Sequence, residues 1–412
     1  MKIAVINDIE SSGGAAIAAS RLVAGLRKKG LDVMRFVNVK ETELVSTIDC
    51  GSLDLKDRLI NKFVQKVFSN SNYLSHIVNL KVLKQVKRFN PDIVNIHNIH
   101  SALMSVDLVE MLLNAGFKLV WTLHDMWSFT GHCAYTYDCD KYKSFCNESC
   151  PRPMEYPSLN IEKIEKAYLK RKNIVSRHRN LVFVSPSKWL ALDAQKGMLA
   201  NHRIEVIPNG IDMSIFSPFG KKAARNSLKI PVDAKIVLTA SQDLQDKRKG
   251  WVYLEKAMRQ LDTKKKVVLL TYGNPHCDSR PKENPYETIN LGTIKDEGQI
   301  AICYSSADVF VLPTLADNLP NVLIESISCG TPCIAFDVGG VPDVVRLGAT
   351  GFLANYKDPD DLAKKISAVL TMDNEKTAIL SKNCRNIALA EYSMERQADS
   401  YYNLFQEICG VE

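Results

Sequence analysis

Short apolar runs rich in β-branched residues alternate along the chain with longer stretches of helical spacing. The runs are Lys2–Ile6, Ile93–Ile96, Lys118–Thr122, Leu181–Val184, Ile204–Ile207, Ile236–Thr239, Val267–Tyr272, Asp308–Leu312 and Pro332–Phe336. Candidate helices between them include Ala15–Lys29, Leu80–Phe89, Val106–Ala115, Lys188–Lys196, Gly250–Gln260 and Leu362–Met372. A continuous apolar run predicts a strand buried on both faces, and an intervening helix predicts that successive strands lie parallel. The pattern therefore predicts an α/β fold of doubly wound parallel sheets. No repeat of fixed period and no low-complexity tract interrupts it.

The pattern also restarts. One strand–helix series ends near Val206, and the turn-rich Pro208-Asn209-Gly210-Ile211-Asp212 follows, running out near Pro218. A second series begins at Lys235. Two α/β domains are expected, at 1–207 and 208–392. The segment Ser393–Ile408 reads as an amphipathic helix rich in Tyr and Phe, so residues 393–412 are expected to return and pack on the first domain.

Composition changes this picture little. Apolar residues make up 46% and charged residues 24% of the chain, ordinary globular values that exclude disorder and collagen-like repeats. No run of about 18 apolar residues predicts a spanning helix. Ile3–Ile6 is too short for the core of a signal peptide, so a cytoplasmic protein with reduced thiols is expected. The 11 cysteines are odd in number and cannot all pair internally. The formal charge of +7 is mild; it is compatible with an anionic substrate or an anionic membrane surface.

Three places carry candidate chemistry. After the first run comes Ser11-Ser12-Gly13-Gly14, where Gly13 and Gly14 let backbone N–H groups approach an anion at a helix start; a plain tight turn is the alternative. At the end of another run stands Trp121-Thr122-Leu123-His124-Asp125. Strand ends of this kind bind ligands in open α/β sheets. His124 can there donate to an oxyanion or orient an acceptor hydroxyl, and Asp125 can fix its tautomer or cap the next helix. The third is Pro313 through Asn321, leading into a helix over Val322–Ser328 that Gly330 ends. Asp317 precedes this helix and Glu325 lies about one turn inside it. Two carboxylates and free helix N–H groups suit a polyhydroxylated, phosphorylated ligand, although a capped helix with one exposed Glu gives the same spacing.

Taken together, these segments resemble the retaining glycosyltransferases of family 4. Asp317-x7-Glu325 followed by Ser-Ile-Ser-Cys-Gly-Thr-Pro resembles that family's acidic signature. Ile207-Pro208-Asn209-Gly210-Ile211-Asp212 is similar to its interdomain motif, giving Asn209, Gly210 and Asp212 that role. Val338–Asp343 and Thr350–Leu353 are similar to its later motifs, and Gly13-Gly14 and Thr122–Asp125 to its first domain. The segment His124–Pro151 resembles a subgroup that builds capsule, exopolysaccharide or O-antigen. The resemblance, from about residue 3 to residue 356, implies a GT-B fold, with two Rossmann-like domains facing a cleft, the acceptor on the first and the donor on the second. It implies a nucleotide-sugar donor, a glycan or lipid-linked oligosaccharide acceptor, and no catalytic cofactor. Glu325 matches the residue that binds the donor ribose, and Asp317 the acidic position near the donor sugar, more usually Glu. Lys249-Gly250 matches a Lys-Gly whose lysine contacts the donor phosphates. The family's usual arginine falls at Leu244, and Arg248 or Lys247 can take its place. Gly14 approaches the phosphates, His124 faces the donor sugar or the acceptor, and Asn318, Leu319, Pro320 and Asn321 complete the donor loop. Departure of a nucleoside diphosphate needs electrostatic stabilisation and no protein nucleophile.

Two further features remain. Cys133, Cys139, Cys146 and Cys150 are spaced C-x5-C-x6-C-x3-C within an insertion at about 130–155. Four thiolates predict one structural zinc, against buried free thiols or a disulfide as alternatives. The other cysteines, such as Cys329 and Cys333, read as core. Lys163–Arg179 and Arg58–Arg88 are basic with apolar neighbours, the second including Lys62, Phe63, Val64, Lys66, Val67 and Phe68. They suit the cytoplasmic face of an anionic inner membrane or a plain solvated face. Nucleic acid is not expected, since no recognised module accompanies the charges. The competing functional classes are a zinc-stapled basic module that docks nucleic acid or a protein, and a GT-B epimerase or phosphorylase.

Overall fold

A computed structural model describes residues 1–52, 72–274 and 286–410. Within it the chain divides into two units, Met1–Asn209 with Gln397–Glu412, and Gly210–Arg396. The basic segment around Lys62, Phe63, Val64, Lys66, Val67 and Phe68, and Cys277, lie outside the described residues.

In the first unit the elements run β1 (Lys2–Ile9), α1 (Gly14–Lys28), β2 (Asp32–Val39), β3 (Thr47–Asp49), α2 (Asn72–Phe89) and β4 (Ile93–Ile96). They continue with α3 (Asp107–Asn114), β5 (Leu119–Thr122), α4 (Ile161–Arg177), β6 (Val182–Ser185), α5 (Lys188–Ala194) and β7 (Ile204–Val206). The strands form one parallel sheet in the order β3-β2-β1-β4-β5-β6-β7. β4, β5 and β6 are buried along their whole length, which is why their sequences are unbroken apolar runs.

The second unit runs α6 (Lys221–Ser227), β8 (Lys235–Asp243), α7 (Trp251–Arg259), β9 (Val267–Asn274), β10 (Glu287–Asn290), α8 (Glu297–Ser306) and β11 (Val309–Leu312). It continues with α9 (Asn321–Ser328), β12 (Cys333–Phe336), α10 (Val341–Val344), β13 (Gly351–Ala354), α11 (Pro359–Leu370) and α12 (Asn374–Glu391). Its parallel sheet has the order β10-β9-β8-β11-β12-β13. Each sheet thus winds outward from its first strand in both directions, the Rossmann arrangement.

Four strands carry no clear signal in the apolar pattern. β2 contains Arg35, only 4% exposed, whose guanidinium donates to the Glu10 carbonyl and, at 3.1 Å, to Ser20 Oγ. Hydrogen bonds let an arginine sit where the run would otherwise be apolar. β3 and β10 are short edge strands, and β13 is a four-residue strand that opens on Gly351. α8 is buried on several sides, including Ala301, Cys303, Tyr304, Ser305 and Ser306, so it shows no one-sided periodicity.

The last helix, α13 (Met394–Cys409), closes the first unit. Ala398, Tyr401, Leu404 and Phe405 pack with Ile3 and Val5 of β1, Leu22 and Leu26 of α1, Val120 of β5 and Val184 of β6. The other face of the sheet is covered by a core that includes Val78, Val82, Leu108, Leu112, Trp121 and Phe183. The chain passes between the units at Asn209–Gly210 and at Arg396–Gln397. Beyond the first crossing, Asp212 Oδ1 accepts from Ser214 N at 2.9 Å, and Ile211 pairs with Ser393. Phe405 is fully buried. Phe405→Ala should cost about 3–5 kcal/mol of unfolding free energy by denaturant titration, and a loss below about 1 kcal/mol would contradict the packing described.

Candidate functional site

Both sheets reverse winding direction beside their first strand, between β1 and β4 and between β8 and β11. Loops at the carboxyl ends of these strands are where such sheets bind ligands. Each unit places a polar cluster there.

In the second unit the loop after β8 makes a short 3-10 turn over Lys247–Lys249, begun by Asp246, whose side chain accepts from Arg248 N. Gly250 follows with φ +69°, and a Cβ there would lie 1.9 Å from the Pro313 carbonyl oxygen. Only glycine allows this approach. The loop after β11 is thereby pinned: Leu315 N donates to Arg248 O at 2.7 Å and Thr314 Oγ1 donates to it at 3.2 Å. The two loops bring three charged side chains together. Lys249 Nζ lies 2.6 Å from Asp317 Oδ2, and Arg248 reaches the same oxygen at 3.3 Å and Ala316 O at 3.0 Å. The third side of the cluster is Gly339, where a Cβ would meet Asp317 O at 2.2 Å, and Gly340 N donates to that carbonyl at 3.1 Å. Side-chain exposure is 21% for Lys249 and 13% for Asp317, so the pair is poorly screened. Burial works against the charged form of Asp317, but the Lys249 and Arg248 charges outweigh it and hold the carboxyl below its usual range. Burial also lowers Lys249, with Asp317 opposing.

Asn318 and Leu319 are buried, Pro320 caps α9 and Asn321 begins it. Glu325 sits in the second turn, 6% exposed, and its Oε2 accepts from Tyr304 OH at 3.1 Å. The sequence-named residues Arg248, Lys249, Asp317 and Asn318–Asn321 are therefore neighbours, with Glu325 in the helix they lead into. Sequence reasoning missed Tyr304, whose signal is hidden inside the featureless α8.

In the first unit a small open recess is lined by residues that include His97, His100, Thr122, His124, Asp125 and Trp127. A hydrogen-bond chain fixes the histidines. Asn95 Nδ2 donates to Val120 O at 3.1 Å and to Thr122 Oγ1 at 3.0 Å, which orients its amide. Its Oδ1 must then accept from His97 Nε2, at 2.9 Å. His97 Nδ1 is left as an acceptor and takes the proton of His124 Nε2 at 2.8 Å. Burial lowers His124 to about 4 and His97 well below its usual value, so both rings are neutral near pH 7. Of the two roles open to His124 in the sequence, this geometry directs its Nε2 proton to His97 rather than to an oxyanion. Asp125 Oδ2 accepts from His100 Nε2 at 2.9 Å, and its Oδ1 accepts from Trp127 N at 2.9 Å. Nearby, burial pushes Asp8 up to about 6 against the pull of the Ser101, Ala102 and Met104 amides.

The loop at Gly13 and Gly14 also holds an anion, but one of the chain's own. Glu41 Oε2 accepts from Ser11 N and Ser12 N, both at 2.8 Å, and from Ser11 Oγ at 2.7 Å, while Oε1 accepts from Ser12 Oγ. Gly13 caps α1 and Gly14 begins it. The anion-holding groups thus sit on the two serines before the glycines, and Glu41 is a partner the local motif does not reveal.

The structure lends the zinc expectation no support. Among the described residues no three His, Cys, Asp or Glu side chains come close enough to hold a metal ion. Cys146 instead belongs to the core, where a Cβ at Gly131 would meet its Cβ at 2.8 Å, and Cys150 Sγ contacts His132 Nε2 at 3.5 Å. Hydrogen bonds staple the insertion: Ala134 joins Met126 and Tyr156, His132 Nδ1 donates to Pro157 O at 2.9 Å, and Arg171 donates to Gly131 O at 2.9 Å. Arg171 also stacks on Trp127, 4.1 Å from its ring centroid. Of the basic residues on α4, Lys170 and Arg177 pair with Asp107 and Glu110 of α3. Among the described residues no helix is long and apolar enough to cross a membrane.

A Glycosyltransferase Family 4 model matches residues 12–215, and a Glycosyl transferases group 1 model matches residues 220–387. The chain belongs to the group 1 glycosyltransferases of the family 4 type. It moves a glycosyl group from a donor to an acceptor. This glycosyltransferase is 26% identical over 362 residues to a putative colanic acid biosynthesis glycosyl transferase, WcaC, of Escherichia coli strain K12, covering 85% of this chain and 83% of that one. Its fold is similar to that of sucrose-phosphate synthase from Thermosynechococcus elongatus, with a TM-score of 0.73 at 21% identity over the whole of both chains. It is also similar to Anabaena HepE in complex with UDP-glucose, with a TM-score of 0.64 at 15% identity, covering 99% of this chain and 100% of that one. With two Rossmann-like units, the fold is GT-B.

The depressed Asp317 makes the glycosyltransferase acid-sensitive in a defined direction. A carboxyl lowered by folding contributes its stability in full above its unfolded value, and loses it as pH falls through the folded value. From about pH 5 to pH 2, urea melts should show the wild type losing more stability than Asp317→Asn. Parallel pH curves for the two would contradict the ion pair's energetic role.

Proposed function

We propose that this glycosyltransferase takes its sugar from a nucleotide-sugar and adds it, with retention of anomeric configuration, to a growing surface polysaccharide. The observation that carries the reading is the Lys249–Arg248–Asp317 cluster leading into α9, with Glu325 in its second turn. An ammonium bears three donor protons, so Lys249 can serve Asp317 and a phosphate oxygen together. Arg248 supplies a second cation in place of the arginine the family usually carries earlier. As the bond from the anomeric carbon to the diphosphate breaks, negative charge grows on the leaving oxygen. Fixed cations and the N–H groups of Asn318, Leu319 and Asn321 are suited to stabilise it. Glu325 accepts the ribose hydroxyls. In the first unit, the neutral His124, held by His97, orients a hydroxyl of the donor sugar or the acceptor. The Gly13-Gly14 turn approaches the donor phosphates.

The donor class is supported by HepE, described in complex with UDP-glucose, and the biosynthetic setting by the WcaC relative. We assign the acceptor to a lipid-linked oligosaccharide at the cytoplasmic face of the membrane. The exposed Lys163, Lys166 and Lys172 of α4 suit an anionic lipid surface. Flotation with anionic vesicles should recover the protein at low salt and lose it at high salt; absence of binding at low salt overturns the membrane contact.

The donor reading is tested by thermal shift against UDP-, GDP-, ADP- and TDP-sugars, since a ligand of the native state raises its melting point. With the stabilising donor, Lys249→Ala and Glu325→Ala should each lower transfer by about 10²-fold or more while the protein remains folded. Near-normal turnover in both removes the site assignment.

A further inference from the structure

Behind Glu325 lies a second buried tyrosine. Tyr304 OH sits 3.1 Å from Glu325 Oε2, and Tyr272 OH sits 2.8 Å from Tyr304 OH. The direction of the chain follows from chemistry. Tyr304 OH donates to Glu325 Oε2, and with its one proton used there it accepts from Tyr272 OH. Burial holds both phenols well above their usual range, so both keep their protons. A hydroxyl that receives a hydrogen bond becomes a better donor, which strengthens the bond to the carboxylate.

The three side chains come from three elements, β9, α8 and α9. Tyr304 is completely buried and has little freedom to move. Its ring meets Phe310 and Tyr272 edge-on, at 5.3 and 6.2 Å between centroids. Its backbone carbonyl accepts from Thr331 Oγ1 at 2.7 Å. A phenylalanine would fill the same space, so packing alone does not explain two hydroxyls linked in a chain that ends on one carboxylate.

We infer that Tyr304, backed by Tyr272, is a positioning residue that sets the Glu325 carboxylate for the two ribose hydroxyls of the donor nucleotide. The inference rests on the proposed role of Glu325 in holding the ribose. It makes ribose recognition depend on residues that do not touch the ligand. A carboxylate held in place before binding loses less freedom when the hydroxyls arrive.

The test is calorimetric titration of the full chain with UDP, GDP and ADP. It is followed by comparison of the tightest binder with its 2′,3′-dideoxy form. Tyr304→Phe should weaken the ribonucleotide about tenfold and leave the dideoxy nucleotide unchanged. Tyr272→Phe, which keeps the Tyr304–Glu325 bond, should weaken the ribonucleotide about two- to threefold with the same selectivity, and it carries the test should Tyr304→Phe fold poorly. Equal losses for both nucleotides, or no loss for either, overturn the inference. Glu325→Gln separates the two claims. Ribose-selective loss in Glu325→Gln without it in the tyrosine variants defeats the positioning role alone. No ribose selectivity in Glu325→Gln defeats the ribose reading itself.

Discussion

The contact on which the charged cluster of the second unit depends is between two loops, where Gly250 passes against the Pro313 carbonyl. A side chain at 250 would strike that oxygen, so the close approach exists only with glycine. Because the loops touch there, Arg248 and Lys249 arrive at Asp317 with little freedom left. Asp317 in turn offsets the cost of holding two cations in a poorly solvated place. Truncating one partner of such a pair leaves the other charge uncompensated, which costs more than the pair itself contributes. The cluster is therefore better understood as a device for placing cations than as a source of stability.

The first unit solves a similar problem without charge. His97 and His124 are neutral, and their proton positions follow from one amide, that of Asn95. Thr122, which accepts from Asn95, lies 2.9 Å from Tyr401 OH of the returning helix α13. The last helix thus does two things in this unit. It buries an apolar face of the sheet, and it closes the hydrogen-bond chain that ends at His124. Both units place a buried polar partner behind a candidate site residue, His97 behind His124 and Tyr304 behind Glu325.

Much of this was legible in the sequence, for identifiable reasons. Strands buried on both faces write themselves as apolar runs, so β1, β4, β5, β11 and β12 stand out. Glycines and prolines mark the loop before α9, which is why Asp317 and Glu325 can be placed around a helix start. Legibility fails where polar residues are buried with distant partners. Arg35 interrupts β2 because its partners, Glu10 and Ser20, come from other elements. Glu41 lies far from the Ser11-Ser12 turn it fills, and Tyr304 is far from Glu325, so no local spacing announces either contact. Close spacing of cysteines in sequence likewise does not decide whether their thiols are arranged to hold a metal. Cys146 turns toward Gly131 and the core, and hydrogen bonds through Arg171 and His132 hold the insertion instead.

The central claim is that the Lys249 cluster binds the diphosphate of the donor. The most direct measurement compares nucleoside mono- and diphosphates of one base, titrated by calorimetry into the wild type and Lys249→Met. Coupling between a side chain and a ligand group is isolated by such a cycle. The account predicts that the diphosphate binds the wild type about tenfold or more tighter than the monophosphate, and that most of this preference is lost in Lys249→Met. Equal affinity for the two nucleotides in the wild type, or a preference that survives the substitution, would contradict it.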